Sequence, residues 1–202
     1  MSNIYIKNKA YKVNEYIRFL NLVNFRWEKR VEEEITDKLE AYLEGLGERF
    51  KYYYEVERNK EIGGENLAIF ACSSTECFRQ VLTKNIKIDQ YYVKEYALVK
   101  VKEDFIGKKE VENFSHFLIS LTNELVTPSV DIMSTTLNGI LITVSGFSEE
   151  AVNFAQQFKF SKTFLLGLKG WCDMRLILVD LKEEKLYTNQ KGKEVVSAYK
   201  IK

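Results

Sequence analysis

The chain has 202 residues, 46% of them hydrophobic, with 30 Lys plus Arg against 29 Asp plus Glu. That length and apolar content exclude wholesale disorder and suit a single domain, 1–202, with a sizeable core. A formal charge of +1 excludes a strongly basic whole-molecule field, so any nucleic-acid contact must come from a local patch.

Apolar residues recur at Val13, Ile17, Leu20, Trp27, Val31, Ile35, Leu39, Tyr42 and Leu46. This three- and four-residue spacing predicts a long N-terminal helix over 12–47, with Gly45 and Gly47 as its stop signal. Arg26, Lys29, Arg30 and the run Glu32-Glu33-Glu34 read as its solvated face. Such a helix packs across a sheet or pairs with a second copy, so a homodimer is expected. Strands are predicted at 50–57 and 66–72, with Tyr52, Tyr53 and Tyr54 as strand surface and core. Aromatic triplets also stack on bases, but the sequence sets no basic cluster beside this one. Ser73-Ser74-Thr75-Glu76 reads as the cap of a short helix ending near Leu82.

Residues 86–102 read as two strands joined by a turn near Lys94-Glu95. A helix opens at Lys108, runs through Phe114, Phe117, Leu118, Leu121 and Leu125, and is closed by Pro128. The apolar run from Gly139 to Val144 predicts a strand covered on both faces. Ser148 caps the next helix, with Glu149 and Glu150 in its first turn and Ala151, Phe154, Ala155 and Phe158 as its buried stripe. Strands at 164–168 and 175–180 and a polar, Lys-rich tail complete the chain, with a turn at 167–171 and Trp171 packed beneath it. The order predicts an α/β fold: a mixed central sheet flanked by helices, with the long helix at the N-terminus.

No signal-peptide run opens the sequence MSNIYIKNKAYKVNEY, and no apolar stretch reaches the roughly 18 residues of a spanning helix. A soluble, cytoplasmic protein with no membrane partner is expected. Cys72, Cys77 and Cys172 read as reduced, buried thiols, and the single His116 as an ordinary helix residue. The Lys-, Glu-, Tyr- and Ile-rich, proline-poor composition has a thermophile-like cast. Neither GxGxxG nor a P-loop spacing occurs, so no nucleotide cofactor is expected.

Residues 139–158, Gly-Ile-Leu-Ile-Thr-Val-Ser-Gly-Phe-Ser-Glu-Glu-Ala-Val-Asn-Phe-Ala-Gln-Gln-Phe, resemble the strand–loop–helix segment of Mrr-type restriction endonuclease-like (PD-(D/E)xK) domains. Upstream order is similar: an Asp strand at 86–93, a second strand at 96–102, then the helix opening at 107–114. The resemblance implies a nuclease-like core over 86–180, DNA as partner, and a Mg²⁺ or Mn²⁺ cofactor. Asp89 takes the metal-holding position, and Lys102 that of the lysine assisting the attacking water. The second acidic position falls on Lys100, which would repel the cation. Glu110 is the metal ligand taken to replace it, with Glu103, Asp104, Glu112 and residues 32–34 as further candidates. Lys100, Lys102, Lys108 and Lys109 together form a phosphate-binding patch. The leading expectation is therefore a DNA-associated protein with a degenerate metal site, and an active deoxyribonuclease is its enzymatic version. The alternative is a protein-interaction module dimerising through the N-terminal helix.

Overall fold

The computed structural model describes residue 30 and residues 33–79 and 89–201. Its contacts divide the chain into two units, Met1–Ala41 and Tyr42–Lys202. Residues 33–50 are helical (α1), and the part of the expected helix before residue 33, Arg30 aside, lies outside the described residues. Gly45 and Gly47 do not stop α1. A Cβ at Gly47 would collide with the Arg58 guanidinium, which reaches back to Glu44 at 3.0 Å. Glycine is used there for close approach, not as a terminator.

The second unit holds a seven-stranded mixed sheet. Its strands are β1 (Glu55–Ile62), β2 (Glu65–Arg79), β3 (Asp89–Val101), β4 (Ile132–Thr143), β5 (Ser161–Thr163), β6 (Trp171–Asp180) and β7 (Lys185–Thr188). They run in the order β1-β2-β3-β4-β6-β5, with β7 also on β6. β1, β2 and β3 form an antiparallel meander, whereas β3, β4 and β6 are parallel. Parallel neighbours need crossovers, supplied by α2 (Lys108–Leu125) and α3 (Glu149–Gln157). The mixed α/β architecture agrees with the sequence expectation.

Each helix follows from its sequence. Val111, Phe114, Leu118 and Leu121 give α2 one apolar stripe, and Ala151 and Ala155 give α3 a small buried face. These pack with Leu98, Leu137, Leu141, Leu176 and Leu178 in one core. Gly139 makes room for Leu118, because a Cβ would overlap its methyl groups. Ser148 accepts a hydrogen bond from Ala151 N at 3.1 Å, capping α3 as its sequence predicts.

On the opposite face the register aligns Ile69, Val99, Ile140 and Ile177 in one buried row. Tyr42, Leu46 and Phe50 of α1 and Tyr199 of the C-terminal 3₁₀ segment cover this second face. The Tyr42 hydroxyl donates to Tyr199 O at 2.8 Å, and the Phe50 and Tyr199 rings meet edge to face. β4 is therefore buried from both sides, as its apolar run predicts.

Several expectations fail locally. The expected turn at Lys94-Glu95 is absent: both residues lie mid-strand in one continuous β3, paired to β2 through Glu95↔Ser73, while 86–88 lie outside the described residues. Ser73-Ser74-Thr75-Glu76 cap no helix but extend β2, because β3 supplies ladder partners out to Arg79. Tyr52, Tyr53 and Tyr54 sit in the turn leaving α1, not in a strand. Residues 164–168 form a 3₁₀ turn over Leu165–Gly167 with only the short β5 before it. Trp171 opens β6 and stays 36% exposed rather than packed beneath the turn.

Candidate functional site

The site expected from the resemblance divides along β3. Asp89 is the first residue of β3, opposite Arg79, while Lys100 and Lys102 lie at and just past its other end. At about 3.3 Å per residue the separation is roughly 40 Å. Glu110 belongs to the lysine end: its carboxylate accepts from Gly107 N at 3.1 Å, satisfying a free amide at the start of α2. Asp89 and Glu110 therefore do not fit one shared Mg²⁺ or Mn²⁺. Among the described residues no group of three or more His, Cys, Asp and Glu side chains is placed to hold a metal.

The four lysines do gather around the end of β3 and the start of α2, two of them ion-paired. Lys100 is ion-paired with Glu65, a carboxylate from β2 that sequence reading passed over because it lies 35 residues away. Lys108 pairs with Glu112 at 3.3 Å along α2. Lys102 and Lys109 are exposed, as are Glu103 and Asp104. Backbone carbonyls of Glu103 and Asp104 accept from Ser145 Oγ and Thr143 Oγ1, tying this loop to the end of β4.

A different constellation forms where α1 exits toward β1. Amides of Tyr53 and Tyr54 donate to Phe50 O at 3.0 and 2.8 Å, winding residues 51–54 into a tight turn. Tyr52 and Tyr53 stand 82% and 80% exposed on it. Tyr54 points inward and hydrogen-bonds Glu95. Glu95 also accepts from Asn138 Nδ2 at 2.9 Å and from Arg175 at 2.6 Å, and Arg175 reaches Glu194 at 3.2 Å. The network spans β3, β4 and β6, since Ala97, Asn138 and Arg175 share one register row beside Glu95. Burial, and then the Glu95 carboxylate, push the Tyr54 hydroxyl far above its usual range. Burial does the same at Tyr199, and raises Tyr42 to about 12. These tyrosines stay protonated and brace the turn.

The turn walls a groove of about 460 Å³ lined by Lys51, Tyr52, Tyr53, Tyr54 and Glu55 on one side and Cys72, Ser73, Ser74, Lys94 and Tyr96 on the other. β1 pairs with β2 only as far as Glu55↔Cys72. Among the described residues, no strand covers the outer edge of β2 beyond it. Burial, then Glu55 and Glu57, raise the Cys72 thiol, so it is no activated nucleophile. The groove offers rings, hydroxyls, two ammonium groups against one exposed carboxylate, Glu55, and, among the described residues, open backbone: a binding surface. Lys51 is held by Glu48 at 2.5 Å, but both are exposed, so the pair is readily exchanged for another anion. In the sequence the aromatic triplet has no basic cluster beside it. Folding brings Lys94 to it from 40 residues away.

The family model described as Domain of unknown function (DUF8052) matches residues 38–201 of this chain. No curated protein and no solved structure matches it. Among the described residues no helix is long and apolar enough to cross a membrane.

Proposed function

We propose that this chain, which belongs to the DUF8052 family, is a nucleic-acid-binding module that holds single-stranded DNA on the tyrosine groove. The observation that carries the reading is the rigid turn at 51–54, with Tyr52 and Tyr53 four-fifths exposed beside Lys51 and Lys94. Leaving two large rings in water is costly unless they meet a partner, and every base offers a π-face to stack on. The two ammonium groups suit a phosphate backbone running past the rings. The same geometry argues for binding without cleavage. Asp89 and Lys102 lie at opposite ends of β3, and Glu65 engages the Lys100 ammonium. A restriction endonuclease-like ancestry with a lapsed metal site remains the reading of the 139–158 segment, and Mg²⁺ or Mn²⁺ has no part in the binding. Three free thiols suit the reducing cytoplasm, where we place the protein.

Fluorescence anisotropy of labelled oligonucleotides tests this. Single-stranded DNA binds, with a salt slope near about −1.4, or about 0.7 for each of two phosphates. Tyr52→Ala/Tyr53→Ala, at exposed turn positions, weakens binding by at least roughly fivefold per lost stack. Binding unchanged by that double variant, or no salt-sensitive binding at all, refutes the assignment. A second reading, association of two copies, is favoured by the open outer edge of β2 beyond Cys72. Sedimentation velocity giving a monomer over the whole concentration range removes it.

A further inference from the structure

The hairpin linking β5 to β6 carries a feature that the groove does not use. Leu165, Leu166 and Leu168 are 62%, 99% and 71% exposed, and Trp171 follows at 36%. A run of four large apolar side chains at one hairpin tip differs from the singly scattered leucines of ordinary surfaces. The tip is not a loose loop. Amides of Gly167, Lys169 and Leu168 donate to Phe164 O, Phe164 O and Leu165 O at 3.0–3.2 Å, and Phe164 N donates to Gly170 O. Phe164 packs into the core as one foot. Gly170, with φ +78°, is the other, so close to the carbonyls of Ile132 and Met133 that a Cβ would overlap them.

Leu165 and Leu166 also hold left-handed backbone angles, φ 47° and 52°. Two consecutive leucines there are disfavoured, where Gly or Asn would sit without strain. The sequence therefore keeps bulky apolar residues at positions where both solubility and backbone energetics oppose them. The electrostatics are one-sided as well. From Lys159 to Cys172 the chain carries Lys159, Lys162 and Lys169, all exposed, and no acidic residue.

We propose that this tip docks on an anionic lipid bilayer surface, with Leu165, Leu166, Leu168 and Trp171 entering the headgroup–acyl boundary and the three lysines meeting lipid phosphates. Shape decides between a bilayer and a protein. The tip is convex, and a convex apolar point needs a matching pocket on a protein but none on a fluid bilayer. Trp and Lys flanking leucines at one tip give the depth order of an interfacial anchor: leucines deepest, indole at the headgroups, ammonium groups outermost. Attachment of this kind is peripheral and needs no spanning helix.

Co-sedimentation of the full chain with vesicles of phosphatidylcholine alone, and of phosphatidylcholine mixed with phosphatidylglycerol, tests the proposal. Binding to the mixed vesicles is expected, falling as salt rises, with little on phosphatidylcholine alone. Leu165→Ser/Leu166→Ser, at exposed positions that leave the core untouched, reduces partition by at least roughly tenfold. In a Trp27→Phe background, Trp171 emission shifts to the blue on binding and is quenched by brominated acyl chains. Tyr52→Ala/Tyr53→Ala leaves vesicle binding intact, separating this surface from the groove. No vesicle binding, equal binding to neutral vesicles, or binding indifferent to the leucine substitutions overturns the proposal. So does a leucine variant that changes only self-association in sedimentation, which would make the tip a protein contact.

Discussion

Arg175→Met removes the guanidinium that crosses from β6 to Glu95 on β3, and keeps most of the aliphatic stem. The Arg175 side chain is 16% exposed and Glu95 30%, so the 2.6 Å pair lies between two limits. Cutting one partner of a fully buried pair costs about 3–5 kcal/mol, and an exposed pair is worth about 0–1 kcal/mol. The second bond, to Glu194, ends on a 70% exposed carboxylate and adds little. Glu95 also keeps Asn138 and Tyr54 as donors after the substitution. The expected loss is about 2 kcal/mol, most of it the residual cost of a half-buried carboxylate without its cation. Glu95→Gln costs less, about 1 kcal/mol, because the amide oxygen still accepts from Asn138 and Tyr54. The double variant falls short of the sum by about 1 kcal/mol, the signature of direct coupling. Urea unfolding followed by circular dichroism, compared at constant m, measures all three. Arg175→Met within about 0.5 kcal/mol of the parent, or strict additivity in the double variant, refutes the network as the brace of the tyrosine turn.

Further outcomes follow from the packing and the raised tyrosines. Gly139→Ala drives a methyl into Leu118 and destabilises by about 1–3 kcal/mol in the same unfolding assay. Leu118→Ala, at a fully buried position between α2 and β4, costs about 2–5 kcal/mol. Leu166→Asn relieves a left-handed leucine at the solvent-facing tip and raises stability by up to about 1 kcal/mol, seen as a higher melting temperature. The folded state holds protons on Tyr42, Tyr54 and Tyr199 that the unfolded chain releases near pH 10, because all three are raised. Their contribution is thus complete below about pH 10 and drains away as pH climbs through that value toward about 12. Urea midpoints that stay flat from about pH 9 to about pH 11 would contradict this.

How far the fold could be read from the chain depended on whether a signal was local. α2, α3 and β4 carry their own periodicity, caps and apolar runs, and the structure places them where the sequence does. The length of β2 and β3 is set by one another: Ser73 to Glu76 satisfies cap chemistry locally, yet eleven consecutive rungs from Ile69↔Val99 to Arg79↔Asp89 hold it in the ladder. Lys94-Glu95 looked like a turn because two charges interrupt an apolar strand, but Glu95 is there for Arg175, 80 residues on. The candidate site failed for the same reason. Asp89 and Lys102 are close in sequence, and a strand that does not fold back carries such neighbours apart. The groove joins Tyr52, Ser73 and Lys94 from three elements, a proximity no spacing announces.

Both crossover helices lie on one side of the sheet, leaving its other side to residues 42–50 and to Tyr199, almost the whole length of the second unit apart. In chain order residues 42–50 precede the strands, so during synthesis Ile69, Val99, Ile140 and Ile177 appear one strand at a time with only half their cover. That face closes only once Tyr199 has cleared the exit tunnel. Until then the nascent chain presents a growing oily stripe, a natural seat for a chaperone, and a stall before Tyr199 would favour clumping over folding.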